Sequence, residues 1–174
     1  SGTWLIDPAD FNIAASGGDM TGAFLSQALK SGSVTIQSSS GSTGTQGNIN
    51  VTDEISWLAN KLTLNAQNDI NIQAPLHGSG TASLALQYGQ GAVASGNTST
   101  YRINATVDLP SGQSFSTQQG SNGAVLDYTV INSLGAAGSS TGTDLQGLNG
   151  IFSGHYALGS HIDARATAGW NGGA

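Results

Sequence analysis

The sequence predicts an all-β fold, a parallel β-helix (β-solenoid) carrying an inserted β-hairpin subdomain. Three observations predict it. Five short runs share the form apolar–x–apolar–polar: residues 34–37 (VTIQ), 49–52 (INVT), 62–65 (LTLN), 70–73 (INIQ) and 84–87 (LALQ). The runs recur, with Ile49 and Ile70 21 residues apart and Leu62 and Leu84 22 apart. Residues 101–134 then break that rhythm.

Alternation with period two marks a half-buried strand, because successive side chains point to opposite faces. Strands that return at about 20 residues suit a chain that coils back to stack on itself. Inward Val, Ile and Leu then form columns, and outward Asn, Gln and Thr form polar ladders. The inward set expected is Val34, Ile36, Ile49, Val51, Leu62, Leu64, Ile70, Ile72, Leu84 and Leu86. Val34 and Leu62 stand 28 apart, and residues 38–47 (SSSGSTGTQG) supply the excess as a looped-out turn. The alternative is an antiparallel sandwich. Against it, Ala66-Gln67-Asn68-Asp69 joins two strands without the Asn-Gly or Asp-Gly pair of a tight hairpin.

Residues 1–31 read as an N-terminal coil with one short helix. Within residues 22–29, Phe24, Leu25, Ala28 and Leu29 share a helical face, and Gly32 follows at a stop position. Residues 32–90 are the β-helix coils. Residues 91–140 hold a Gly/Ser/Asn-rich loop and an extra-helical hairpin. There, residues 102–109 (RINATVDL) alternate loosely, Pro110-Ser111-Gly112 turns the chain, and Phe115 opens a polar strand. Ser121-Asn122-Gly123 turns it again before residues 124–134 (AVLDYTVINSL). Residues 141–174 resume the coils.

The surface is neutral. Only 8% of residues are charged, against roughly 25% in an average domain. Ser, Thr, Asn and Gln supply 63 of the 174 residues, so hydroxyls and amides must face the water. The net charge is −6, and Lys30, Lys61, Arg102 and Arg165 are scattered. Nucleic-acid binding requires clustered cations, so it is excluded, as is attraction to an anionic membrane. No apolar run reaches the roughly 18 residues of a membrane span. With no cysteine there is no disulfide and no thiolate metal site. No signal peptide is visible, and Ser1-Gly2 reads as the start of a cut fragment.

The opening residues Gly2-Thr3-Trp4-Leu5-Ile6-Asp7-Pro8-Ala9-Asp10 resemble the G-x-W-L-x-D-P-x-D motif of large bacterial exoproteins. These are the filamentous-haemagglutinin-like adhesins exported by two-partner secretion. The following Ser31-Gly32-Ser33-Val34-Thr35-Ile36 is similar to their N/G-x-V-T-I segment. Asp144-Leu145-Gln146-Gly147-Leu148-Asn149, residues 154–164 (GHYALGSHIDA) and Trp170-Asn171 resemble a pattern in the same proteins. The resemblance implies an internal segment of the exported shaft, folded as a right-handed parallel β-helix. It implies an outer-membrane transporter as partner of the parent protein, a secreted or cell-surface location, adhesion or filament formation, and no catalytic residues. A toxin-delivery shaft would look the same, and a polysaccharide-degrading β-helix enzyme is the remaining class.

Candidate chemistry is sparse. Asp53-Glu54 is the one adjacent acidic pair, and neighbours in a strand face opposite ways. His155 and His161 are six apart, an unusual ligand spacing, and His77 is distant, so surface histidines are expected and neither metal nor cofactor is. Trp4, Trp57 and Trp170 read as core residues. Asn50, Asn97 and Asn104 each begin an N-x-[ST] triplet. The binding candidates are Tyr88, Tyr101 and Arg102, which flank or follow the Gly/Ser/Asn-rich loop. Loops on a rigid scaffold concentrate recognition, so a host or matrix glycan or protein is expected there. Unpaired strand edges at the ends predict end-to-end self-association.

Overall fold

The computed structural model describes residues 10–39, 46–148 and 153–173. Trp4, Asp7 and the rest of the opening motif before Asp10, residues 40–45 of the looped turn, and Asn149 lie outside the described residues. The chain runs β1 (Phe11–Ile13), α1 (Gly22–Ser31), β2 (Val34–Gln37), β3 (Ile49–Val51), β4 (Ile55–Trp57), β5 (Lys61–Asn65) and β6 (Ile70–Ile72). It continues through β7 (Leu76–Gly78), β8 (Ser83–Tyr88), β9 (Tyr101–Ile103), β10 (Val107–Asp108), β11 (Gly112–Gln119), β12 (Leu126–Ile131) and β13 (His155–Leu158). Short 3-10 segments lie at Gln146–Leu148 and Arg165–Gly173.

The strands form three sheets, in the orders β1-β3-β6-β9, β4-β7-β10 and β2-β5-β8-β11-β12-β13. Pairing is parallel except between β11 and β12. Register follows the sequence spacing. Ile49 lies opposite Ile70, Leu62 opposite Leu84, and Val34 opposite Leu62. The result is a set of apolar columns: Phe11–Ile49–Ile70–Tyr101, Ile13–Val51–Ile72–Ile103 and Val34–Leu62–Leu84–Phe115. All ten residues expected to point inward are buried. Each such aliphatic side chain contributes about 1.5–3 kcal/mol by leaving water.

This is an α/β-type fold with parallel and mixed sheets, which corrects the expectation of an all-β, right-handed parallel β-helix with an inserted hairpin. Two findings overturn it. First, α1 is part of the core. Leu25 and Leu29 are fully buried and the helix packs along β4. Thr21 Oγ1 accepts the Phe24 N–H at 3.1 Å as N-cap, and Asp53 Oδ2 accepts the Gly22 N–H at 2.8 Å. Gly22 is required there, because a Cβ would strike the Glu54 carbonyl. Phe24, expected on the buried face, is 51% exposed.

Second, residues 101–134 are not an insertion. β9 and β10 join two different sheets, and β11 continues the six-stranded sheet, with Phe115 opposite Leu84 and Thr117 opposite Leu86. The chain does turn back after β11, where Gly120 adopts φ 77°, and β12 returns antiparallel. That reversal lies inside the main sheet and makes it mixed. β13 then adds parallel to β12. Phe115, Thr117 and Val130 are buried. Apolar inward positions in register with β8 pull the stretch into the core.

Leu64 occupies the middle of its column, between Ile36 and Leu86. Leu64→Ala is expected to lower the unfolding free energy by about 2–5 kcal/mol, through lost burial and an unfilled cavity. Gln73→Ala, at an exposed position, should change it by under about 0.5 kcal/mol. Urea unfolding followed by circular dichroism measures both.

Candidate functional site

The polar groups of this protein are first of all employed in holding register. The residue before each strand of the four-stranded sheet repeats one contact. Asp10 Oδ1 accepts the Asn48 N–H at 2.8 Å, Asn48 Oδ1 accepts the Asp69 N–H at 3.1 Å, and Asp69 Oδ1 accepts the Thr100 N–H at 2.8 Å. Each corner side chain thus holds the backbone of the next strand. Along the sheet's outer face, Asn50 Nδ2 donates to Asn12 Oδ1 and Asn71 Nδ2 to Asn50 Oδ1, both at 2.9 Å. Arg102 ends the ladder, donating from Nη1 to Asn71 Oδ1 at 3.2 Å and to Asp69 Oδ2 at 2.8 Å.

Of the predicted binding residues, the structure brings Tyr88 and Tyr101 together and sets Arg102 apart. The tyrosine rings meet edge-on at 5.2 Å. They are partly buried against the core, within an aromatic cluster that includes Tyr128, Phe115 and His155. Burial pushes the Tyr101 phenol up to about 12, aided by the neighbouring charge of Tyr128 and a hydrogen bond with it. Burial, then Tyr128, also raises Tyr88. Arg102 alternates to the outer face, where its ion pair with Asp69 leaves the guanidinium half exposed.

The Gly/Ser/Asn-rich loop is pinned. Asn97 Nδ2 donates to the Gly89 carbonyl at 2.7 Å, and its Oδ1 accepts the Ser99 N–H at 3.0 Å. Gln119 Nε2 donates to the carbonyls of Asn97 and Ser99, each at 2.9 Å. Beside it lies an open recess of about 700 Å³ that sequence reasoning missed, lined by Gln67, Asn68, Asp69, Asn97, Thr98 and Ser99 among others. The only chain signal for it is the cluster of glycines, 89, 91 and 96, whose missing side chains leave space. Asn68 and Asp69 are held by their neighbours. The Gln67 amide and the Thr98 hydroxyl have no hydrogen bond among the described residues, so they are free for a ligand. The lining is neutral apart from Asp69.

A second polar group sits on the three-stranded sheet. Ser56, His77 and Asp108 are register partners across β4, β7 and β10. His77 Nδ1 contacts Asp108 Oδ2 at 2.7 Å. The set has the composition of a hydrolase triad but not its wiring. Glu54 Oε1 accepts from Ser56 Oγ at 3.5 Å and lies 3.8 Å from His77 Nε2. The serine therefore addresses a carboxylate, not the imidazole. His77 is 42% exposed, and paired surface charges of this kind contribute about 0–1 kcal/mol.

Other expectations resolve simply. Asp53 anchors the helix while Glu54 faces solvent, which separates the acidic pair. His155 and His161 are exposed and no three-ligand metal cluster occurs among the described residues. Trp57 is buried, with Nε1 donating to the Asn60 carbonyl at 3.3 Å, whereas Trp170 is half-buried. Asn50 and Asn97 have their amides engaged, and Asn104 is exposed. In the loop 133–148, the Asp144 carboxylate accepts from Ser139, Thr141 and the Gly147 N–H, and the Ser139 bond leads in holding it below the usual carboxylate range. Among the described residues, no helix is long and apolar enough to cross a membrane.

The fold and site define a parallel and mixed-sheet protein with a neutral polar recess. No protein-family model matches the chain, and neither a curated protein nor a solved structure matches it.

Two outcomes follow from this geometry. Asn48→Ala removes the acceptor for the Asp69 N–H and for the Asn68 amide. It should cost about 1–3 kcal/mol in thermal or urea unfolding, since donors lose their partner in a half-buried corner. Tyr101 keeps its proton in the folded state when an unfolded tyrosine has lost it. Stability linked to it is therefore full below pH ~10 and declines as pH rises from ~10 towards ~12. Unfolding midpoints across that range, with Tyr101→Phe showing a shallower decline, measure the effect.

Proposed function

We propose that this chain is a non-catalytic structural and adhesive segment of a large secreted bacterial surface exoprotein. Its parent protein would leave the cell through an outer-membrane two-partner secretion transporter. One observation carries the non-catalytic reading: the acidic side chains hold the backbone. Asp10, Asp19, Asp53, Asp69 and Asp144 each accept a backbone N–H from a residue on another segment or turn. A carboxylate so engaged is poorly available for proton transfer. The remaining network, Glu54, His77 and Asp108, is paired internally. The opening motif and the residues similar to it later in the chain support the exoprotein reading.

Adhesion is assigned to the recess beside residues 89–99. Neutral amides and hydroxyls match the hydroxyl groups of an uncharged host or matrix glycan, and the free Gln67 and Thr98 side chains are placed to recognise them. An anionic ligand is disfavoured by Asp69 and by the chain's charge of −6.

The protein coated on beads should adhere to glycan-bearing cells or to an array of neutral glycans. Thr98→Arg should reduce adherence at least tenfold, while Ala15→Arg, on a distant exposed loop, leaves it unchanged. Polysaccharide turnover by the wild-type protein that disappears in His77→Gln would overturn the non-catalytic reading. Equal adherence of Thr98→Arg would remove the recess from it.

A further inference from the structure

The two ends of the stacked sheets differ. At the β1 end the edges are blocked. Asn12, whose backbone faces away from β3, is bonded on both groups: its carbonyl accepts the Asp19 N–H at 2.8 Å and its N–H donates to Asp19 Oδ2 at 2.8 Å. The loop 14–20 thus folds over β1, and Ile13 bridges to Met20. In the three-stranded sheet α1 takes the place of a further strand, and Ser26 Oγ accepts the Ser56 N–H of β4 at 2.9 Å. Phe11, Ile13, Leu25 and Leu29 are 0% exposed as a result.

At the other end β9, β10 and β13 are the last strands of their sheets. The column that begins with fully buried Ile13 ends in Ile103, 40% exposed, and Leu158 is 64% exposed. Between them an apolar cleft of about 160 Å³ is lined by Ile103, Val107, Phe115, Val130 and Leu158. The end is also stepped. The six-stranded sheet runs two strands past β11, whereas its neighbours stop at β9 and β10.

We propose that two copies of this chain associate tail to tail through the β9, β10 and β13 end. A free strand edge beside exposed apolar residues accepts a further strand. Head-to-tail stacking would need a matching free edge at β1 and β4, and there Asn12 and Ser56 are already bonded. The surface open on each copy is the same surface, so the contact is two-fold and closes. The step supplies the shape: the projecting β12 and β13 of one copy lie beside the shorter sheets of the other. Each copy carries −6, so salt, by screening that repulsion, strengthens the apolar contact. The inference stands independently of export and adhesion.

The chain has no cysteine, which makes single-cysteine variants clean reporters. Sedimentation equilibrium of the wild-type protein should give a dimer whose proportion rises with salt. Ile103→Lys should weaken dimerisation at least tenfold with an unchanged circular dichroism spectrum, and should leave glycan adherence of the recess intact. A short bismaleimide should join two copies of Leu158→Cys but not two copies of Ala15→Cys. A monomer at every concentration and salt overturns the proposal. So does cross-linking between Ala15→Cys and Leu158→Cys in a mixture, which reports head-to-tail stacking.

Discussion

The structure depends on keeping successive parallel strands in register. A slip of one residue would turn every inward Ile, Leu and Val outward. Two devices prevent it. The apolar columns penalise a slip through burial, and the corner contacts of Asp10, Asn48 and Asp69 fix each strand's starting point from the strand before. The second device is directional. A side-chain oxygen that accepts the N–H of the next strand's corner residue specifies one alignment, which an apolar column of similar residues does not. The asparagine ladder on the outer face repeats that information without adding net charge.

Register held by neutral groups explains why so few ionisable residues suffice. Where charges do occur, they close features that the columns leave open: Asp53 at the start of α1, Arg102 and Asp69 at the last strand of the four-stranded sheet, Asp144 within the loop 133–148. Asn60 serves similarly. It adopts φ 72°, a conformation that asparagine tolerates better than most residues, and its Nδ2 donates to the Leu29 carbonyl at the helix end.

The helix and the chain reversal give the molecule its polarity. Strands alone would leave equivalent edges at both ends. Replacing a strand by α1 at one end, and adding β12 and β13 at the other, closes the first and steps the second. The surface recess arises from the same economy of side chains. Glycines 89, 91 and 96 let the loop lie close over the corner formed by Gln67, Asn68 and Asp69 while leaving space between them.

The sequence by itself determined the strands, their spacing and the inward set. Ile49 and Ile70, Leu62 and Leu84 meet as their separations demand, because period-two alternation and a fixed return length are local properties. It determined the position of the helix and the turn after β11 for the same reason. Only the tertiary structure decided which sheet each later strand joins. Residues 101–134 alternate too loosely to show that Phe115 and Thr117 would align with Leu84 and Leu86, so they read as an insertion. Tyr88 and Tyr101 looked like exposed flanks of a loop, yet the strands behind them bring Tyr128 alongside and fold the rings against the core. Ser56, His77 and Asp108 lie 21 and 31 residues apart in sequence, and nothing local relates them. Their row, the recess under the glycines and the difference between the two ends are products of long-range strand pairing, which sets distances that no stretch of sequence encodes alone.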